Sequence, residues 1–136
     1  MLDTPKHGWS NISIGSWHDR CSYLDDIPVV LLNALRRFLT AKLPVAAKFD
    51  AEGYEYILVF DFGVVHIISD DEDGDKYQLS SQEVSIPALA KELVEDIRRD
   101  IDAWADWQNY EVQTKEALAR RKQLLVDLCG ELSALI

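Results

Sequence analysis

The sequence predicts an α+β domain: an antiparallel β-meander of three to four strands, packed with a helix from the N-terminal half and two C-terminal helices. Periodicity carries the argument. Residues 45–79 fall into short apolar, aromatic and β-branched runs parted by turn residues, whereas residues 27–39 and 86–104 repeat apolar side chains every three or four positions. Loop length settles the pairing, because parallel strands need a crossover of about a dozen residues and these connections are shorter. Helices beside one face of such a sheet make a two-layer domain.

The first element is a short strand through Ile12 and Ile14, which alternate with serines until Gly15. A helix then starts at Asp25-Asp26-Ile27-Pro28, where a carboxylate suits free amides and proline fits the first turn. Leu31, Leu32, Leu35, Phe38 and Leu39 form its apolar face, and Pro44 marks its latest end. Val45 to Phe49 reads as a strand, followed by a turn at Asp50-Ala51-Glu52-Gly53. In the next run Tyr54, Tyr56, Leu58 and Phe60 share one face under the two-residue period. Gly63 reverses the chain into Val64–Ile68, and Lys76 to Leu79 is a short final strand.

Ser85 caps the following helix, with Pro87 in its first turn. Ile86, Ala90, Leu93, Ile97, Ile101 and Trp104 form a continuous stripe opposite Lys91, Glu92, Glu95, Arg98, Arg99 and Asp102. Gln108-Asn109-Tyr110 is a kink or break. A last helix runs over about 112–135 through Leu118, Leu125, Leu128, Leu132 and Leu135, with Gly130 weakening it. This helix either docks on the core or extends as an arm.

At 136 residues, without a repeat or a linker, the chain reads as one domain, 1–136. A composition 48% hydrophobic and 28% charged is that of a globular chain. Fourteen Lys+Arg against 24 Asp+Glu give a formal net charge of -10. Such a surface repels phosphate backbones and anionic lipid, so the expected partner is a basic protein rather than nucleic acid or a membrane. With no leader pattern and no apolar run near the roughly 20 residues that span a bilayer, the expected location is cytoplasmic. Cys21 and Cys129 then read as reduced thiols.

Several chemistries fail on spacing. His18-Asp19-Arg20-Cys21 holds the residue types of a thiol nucleophile with its base, but neighbours in sequence rarely face one another. His66 is the other candidate base, and Cys129 reads as core. The acidic loop Asp70-Asp71-Glu72-Asp73-Gly74-Asp75 resembles half a calcium loop. Placing Gly74 at the turn position leaves Ser69 and Ser80 at the two end positions, where the bidentate anchor is missing. His7, His18 and His66 have no paired ligand spacing, and no phosphate-cradling loop, G-x-S-x-G or H-E-x-x-H occurs. No catalytic residue, metal or cofactor is predicted.

Two acidic patches remain as partner-binding candidates: Asp70, Asp71, Glu72, Asp73 and Asp75 in the loop, and Asp102 and Asp106 beside an exposed Trp107. Trp104 belongs to the core stripe. Trp9 and Trp17 have two readings, as exposed docking aromatics or as the cover of the sheet's open face.

The segments Ser22-Tyr23-Leu24-Asp25-Asp26-Ile27-Pro28, Phe49-Asp50-Ala51-Glu52-Gly53 and 96–104 carry no enzyme signature. In size, acidity, α+β order and lack of catalytic motifs the chain resembles the small acidic immunity proteins that bacteria encode beside toxins. That resemblance implies a non-catalytic inhibitor that neutralises a basic toxin or nuclease by electrostatic steering and occlusion. The alternatives are a structural or regulatory module that self-associates through the C-terminal helix, forming a homodimer, and a small cysteine-dependent enzyme.

Overall fold

The computed structural model describes residues 1–70, 76–108 and 113–136. It opens with a hairpin rather than a lone strand: β1 (Trp9–Ile14) and β2 (Trp17–Ser22) pair antiparallel from Trp9↔Ser22 to Ile14↔Trp17. Gly15, at φ 59°, makes the tight reversal that the sequence reading took for a strand end. Helix α1 (Ile27–Ala41) follows with Pro28 in its first turn and Leu31, Leu32, Leu35 and Phe38 buried. Lys42 adopts the left-handed conformation and donates its N–H to the Phe38 carbonyl at 2.9 Å, ending the helix ahead of Pro44.

The meander is β3 (Val45–Asp50), β4 (Glu55–Asp61), β5 (Val64–Asp70) and β6 (Tyr77–Glu83), in the order β3-β4-β5-β6 with every pair antiparallel. The last strand outruns the expected Lys76–Leu79. Ser80, Ser81 and Gln82 have little strand character of their own, but pairing with Ile67, His66 and Val65 carries them into the ladder.

Helix α2 (Ile86–Arg99) begins as expected, the Ser85 hydroxyl accepting from Ala88 N–H at 3.3 Å. The apolar stripe does not stay in one helix. The chain breaks at Asp100 and restarts as α3 (Ile101–Ala105), leaving Trp104 in the core and Ile101 only half-buried. Helix α4 (Lys115–Ser133) starts after a Thr114 cap, later than the expected 112. It continues through Gly130, around which even an added Cβ would have open space. It is no arm. Leu125, Cys129 and Leu132 are buried against α1, α2 and α3, and Arg121 pairs with Asp26 at the start of α1, while Leu135 beyond the helix is exposed. No described helix is long and apolar enough to cross a membrane.

Alternation along the strands gives the sheet two unlike faces. Phe49, Tyr56, Leu58, Phe60, Val65 and Ile67 point inward and are essentially inaccessible. The hairpin lies on that same side: Trp17 meets the inward Tyr56 edge-on at 5.5 Å, and Ser16 N–H donates to Gln82 Oε1 at 3.0 Å. Helix α1 packs against β3 and β4. The N-terminal ammonium is held by Glu92 and Asp96 of α2, and Leu2 N–H donates to Asp96 at 2.8 Å.

Candidate functional site

The other face of the sheet has no layer on it among the described residues. Register alone builds its centre. Lys48 lies opposite Ile57, Ile57 opposite Ile68, and Ile68 opposite Leu79, so one row crosses all four strands with three aliphatic side chains side by side. Val59 and Val64 are half-buried on the same face, and Tyr77 and Leu79 are 77% and 72% exposed. A soluble sheet usually turns polar residues to its open side, so an aliphatic row there is the departure to be explained.

Carboxylates frame this row. Asp50 and Glu55 stand at one end of β3 and β4, Asp61 and Glu83 at the opposite end of β4 and β6, and Asp70 closes β5 beside Tyr77. Lys48 sits at the margin, its Nζ 2.9 Å from Glu55 Oε2. A shallow concavity of about 250 Å³ opens here between Lys48, Glu55, Ile57, Ile68, Asp70 and Tyr77. Such a surface can bury apolar side chains at its centre and pair cations at its rim.

The row beside it holds His66 and Ser81, with the Ser81 hydroxyl 2.8 Å from His66 Nδ1, and Asp61 in the row after it puts Oδ2 3.6 Å from Nε2. The residue types are those of a hydrolytic triad, but the carboxylate is beyond hydrogen-bond reach and the groups stand on an open sheet face. Their evident work is to tie β6 to β5.

The predicted site residues divide between this face and elsewhere. Asp70 is on it. Asp71, Glu72, Asp73 and Asp75 lie outside the described residues, as does Gly74; the calcium-loop comparison finds strands, β5 and β6, on either side. The second patch is corrected. Trp107 is 5% exposed, packs on Trp104 at 4.8 Å between ring centroids, and donates Nε1–H to the Asp25 carbonyl at 2.9 Å, so it offers no free docking surface. Asp102 and Asp106 are exposed on the rim of a separate cleft of about 610 Å³ lined by Lys6, His7 and Tyr23, and Lys122 Nζ reaches Asp102 at 2.9 Å.

The reading of Trp9 and Trp17 as a cover for the open face does not hold, since Trp17 packs inward on Tyr56. Trp9 is half-exposed and stacks on the Arg20 guanidinium at 5.4 Å, with Tyr54 on the same cation at 5.0 Å. Arg20 also donates Nε–H to the Ala51 carbonyl at 2.9 Å, so this cluster staples the hairpin to the β3–β4 turn.

Cys21 is fully buried, and burial pushes its thiol up to about 12. His18 points to the opposite side of β2, and His66 stands on the far face of the sheet, so neither is placed as its base. Asp25 and Asp26 were expected to cap α1. Asp26 occupies the N-cap position but spends its carboxylate on Arg121, and Asp25 accepts from Asp50 N–H at 2.7 Å. Desolvation raises the Asp25 carboxyl above the ordinary range. The described residues contain no group of three or more His, Cys, Asp or Glu positioned to hold a metal.

The aliphatic row was within reach of sequence reading. Tyr56, Leu58 and Phe60 were assigned to one face, which leaves Ile57 and Val59 on the other. The run is apolar on both sides, the mark of a strand covered twice. Comparison with known proteins adds no relative: no family model, curated protein or solved structure matches the chain.

Proposed function

We propose that the protein is a non-catalytic binding protein that captures a basic protein partner on the open face of its four-stranded sheet, in the manner of an immunity-type inhibitor. The observation that carries this reading is the aliphatic row Ile57–Ile68–Leu79 set inside a frame of Asp50, Glu55, Asp61, Asp70 and Glu83. Burial of the row supplies affinity, at about 25 cal/mol per Å² of apolar surface removed from water before the costs of association. The frame and the net charge of -10 speed encounter with a cation-rich surface and reject acidic ones. Occlusion needs nothing more: a toxin or nuclease whose basic active surface is covered cannot reach its substrate.

The test uses the intact protein as bait in extract of the cells that produce it, beside Ile68→Glu and Asp70→Lys/Glu83→Lys variants that melt like the parent. A partner that is basic, is lost with Ile68→Glu and associates at least about tenfold more slowly with the charge reversals supports the reading. Association should also slow as salt rises, since the Debye length falls from ~30 Å at 0.01 M to ~8 Å at 0.15 M. A partner retained by all three proteins moves the interface to another surface, and an acidic partner overturns the electrostatic half of the proposal.

A further inference from the structure

The two edges of the sheet are finished differently. On the β3 side, the Ala51 N–H to Tyr54 carbonyl bond at 2.8 Å sets the ladder's phase, so Asp50, Lys48 and Ala46 turn their backbone groups outward. That edge is guarded: Asp25 takes the Asp50 N–H at 2.7 Å, and Lys48 puts a charge in the middle. On the β6 side, Val84 N–H donates to the Gly63 carbonyl at 3.0 Å. The phase that follows gives Gln78, Ser80 and Gln82 to β5, and turns the N–H and C=O groups of Tyr77, Leu79, Ser81 and Glu83 to the outer edge, where no described strand pairs with them. Across these seven residues there is no proline, lysine or interruption of register, the usual devices against pairing.

We infer that β6 is the pairing edge for a second copy of this chain, two β6 strands running antiparallel about a two-fold axis through Ser80. Antiparallel pairing of an edge requires its outward-facing residues to meet one another, and this axis does so over the whole strand. Tyr77 then faces Glu83 and Leu79 faces Ser81, while Gln78 meets Gln82 and Ser80 meets Ser80 across the axis. No like charges oppose.

The register favours this occupant, and the strand's own charge does not oppose it. Of the chain's 24 Asp+Glu, only Glu83 lies in β6, so the strand carries a single charge and about this axis it meets the uncharged Tyr77 of the other copy. Pairing makes one eight-stranded sheet, in which each Ile57–Ile68–Leu79 row runs into the Ser81–His66–Val59 row of the other copy. The inference is independent of the proposed function, and salt separates the two: a basic partner associates more slowly as salt rises, whereas two like-charged copies associate more tightly.

The experiment is sedimentation equilibrium of the intact protein from about 10 μM to 1 mM, in low salt and in 0.15 M salt. The expected mass climbs from 15.5 kDa toward twice that, and does so at lower protein concentration in the higher salt. Ser81→Pro removes an N–H that faces the open edge rather than β5, so it should weaken the dimer at least about tenfold while the fold survives. Ser81→Ala keeps that N–H, loses only the hydroxyl on His66, and should dimerise like the parent. Should the proline variant fail to fold, amide exchange of the parent decides: protection at Tyr77, Leu79, Ser81 and Glu83 must rise with protein concentration. A constant 15.5 kDa up to 1 mM in 0.15 M salt overturns the inference. So does a dimer indifferent to Ser81→Pro, or concentration-independent exchange at those four amides.

Discussion

The inner and outer faces of the sheet come from the same four strands and diverge through one-residue offsets. Leu58 is fully buried against the helical layer, while Ile57 and Val59, its chain neighbours and no more polar, are half-exposed. The inner face is finished within the chain; the outer face carries apolar surface that no described element covers. Within the run from Tyr56 to Phe60 composition does not distinguish them. What differs is whether a layer arrives, and α1, α4 and the hairpin all arrive on one side.

The comparison breaks most sharply at Leu58. Leu58→Ala should cost about 2–5 kcal/mol in a denaturant melt, and Ile97→Ala in α2 a similar amount, because both leave cavities in a closed core. A loss under about 1 kcal/mol at either site would mean that the inner layer is not packed as described. The same layer guards Cys21. With its thiol pushed up to about 12, against a reference near 8.5, the thiolate fraction at pH 7 should fall on the order of a thousandfold. Alkylation of the native protein at pH 7, read by mass spectrometry, should therefore leave Cys21 unmodified until the chain is unfolded in denaturant. Rapid stoichiometric labelling would place it outside the core. The smallest effect on the fold is expected outside, where Leu79→Thr should change stability by no more than about 0.5 kcal/mol. It should nevertheless weaken capture of a basic partner, and a variant that melts early but binds normally would exchange the roles of the two faces.

Most of the element order was legible in sequence because it rests on local rules. Ser85 with Pro87, the three-and-four spacing after Ile86, and Gly63 between two apolar runs each carry their own physics. The readings that failed depended on distant neighbours. Nothing local distinguishes an exposed Trp107 from one whose indole N–H reaches Asp25, and the partner is 82 residues away. Asp26 looked like a cap because its position is that of one; Arg121 of α4 claims its carboxylate instead. The stripe from Ile86 to Trp104 is continuous in sequence, yet the helix breaks at Asp100, where Arg99 pairs with Asp96 and Asp100 and the Asp100 carboxylate accepts from Thr4.

For the candidate site the division is similar. Acidity and the alternation that sets Ile57 and Val59 apart from Leu58 are properties of the chain, fixed before it folds, because charge is additive and the strand period is two. Which side would be covered is not such a property. The run from Tyr56 to Phe60 is apolar on both faces, so that run by itself does not say which one receives the helices. Tertiary structure decided it through long-range packing: Trp17 on Tyr56, Phe38 on Phe62, and α4 on α1. Those contacts close one face and leave the other as surface. The same long-range order made β6 the edge of the described sheet, because an edge is defined by where the neighbouring strands lie and not by the residues of the strand itself.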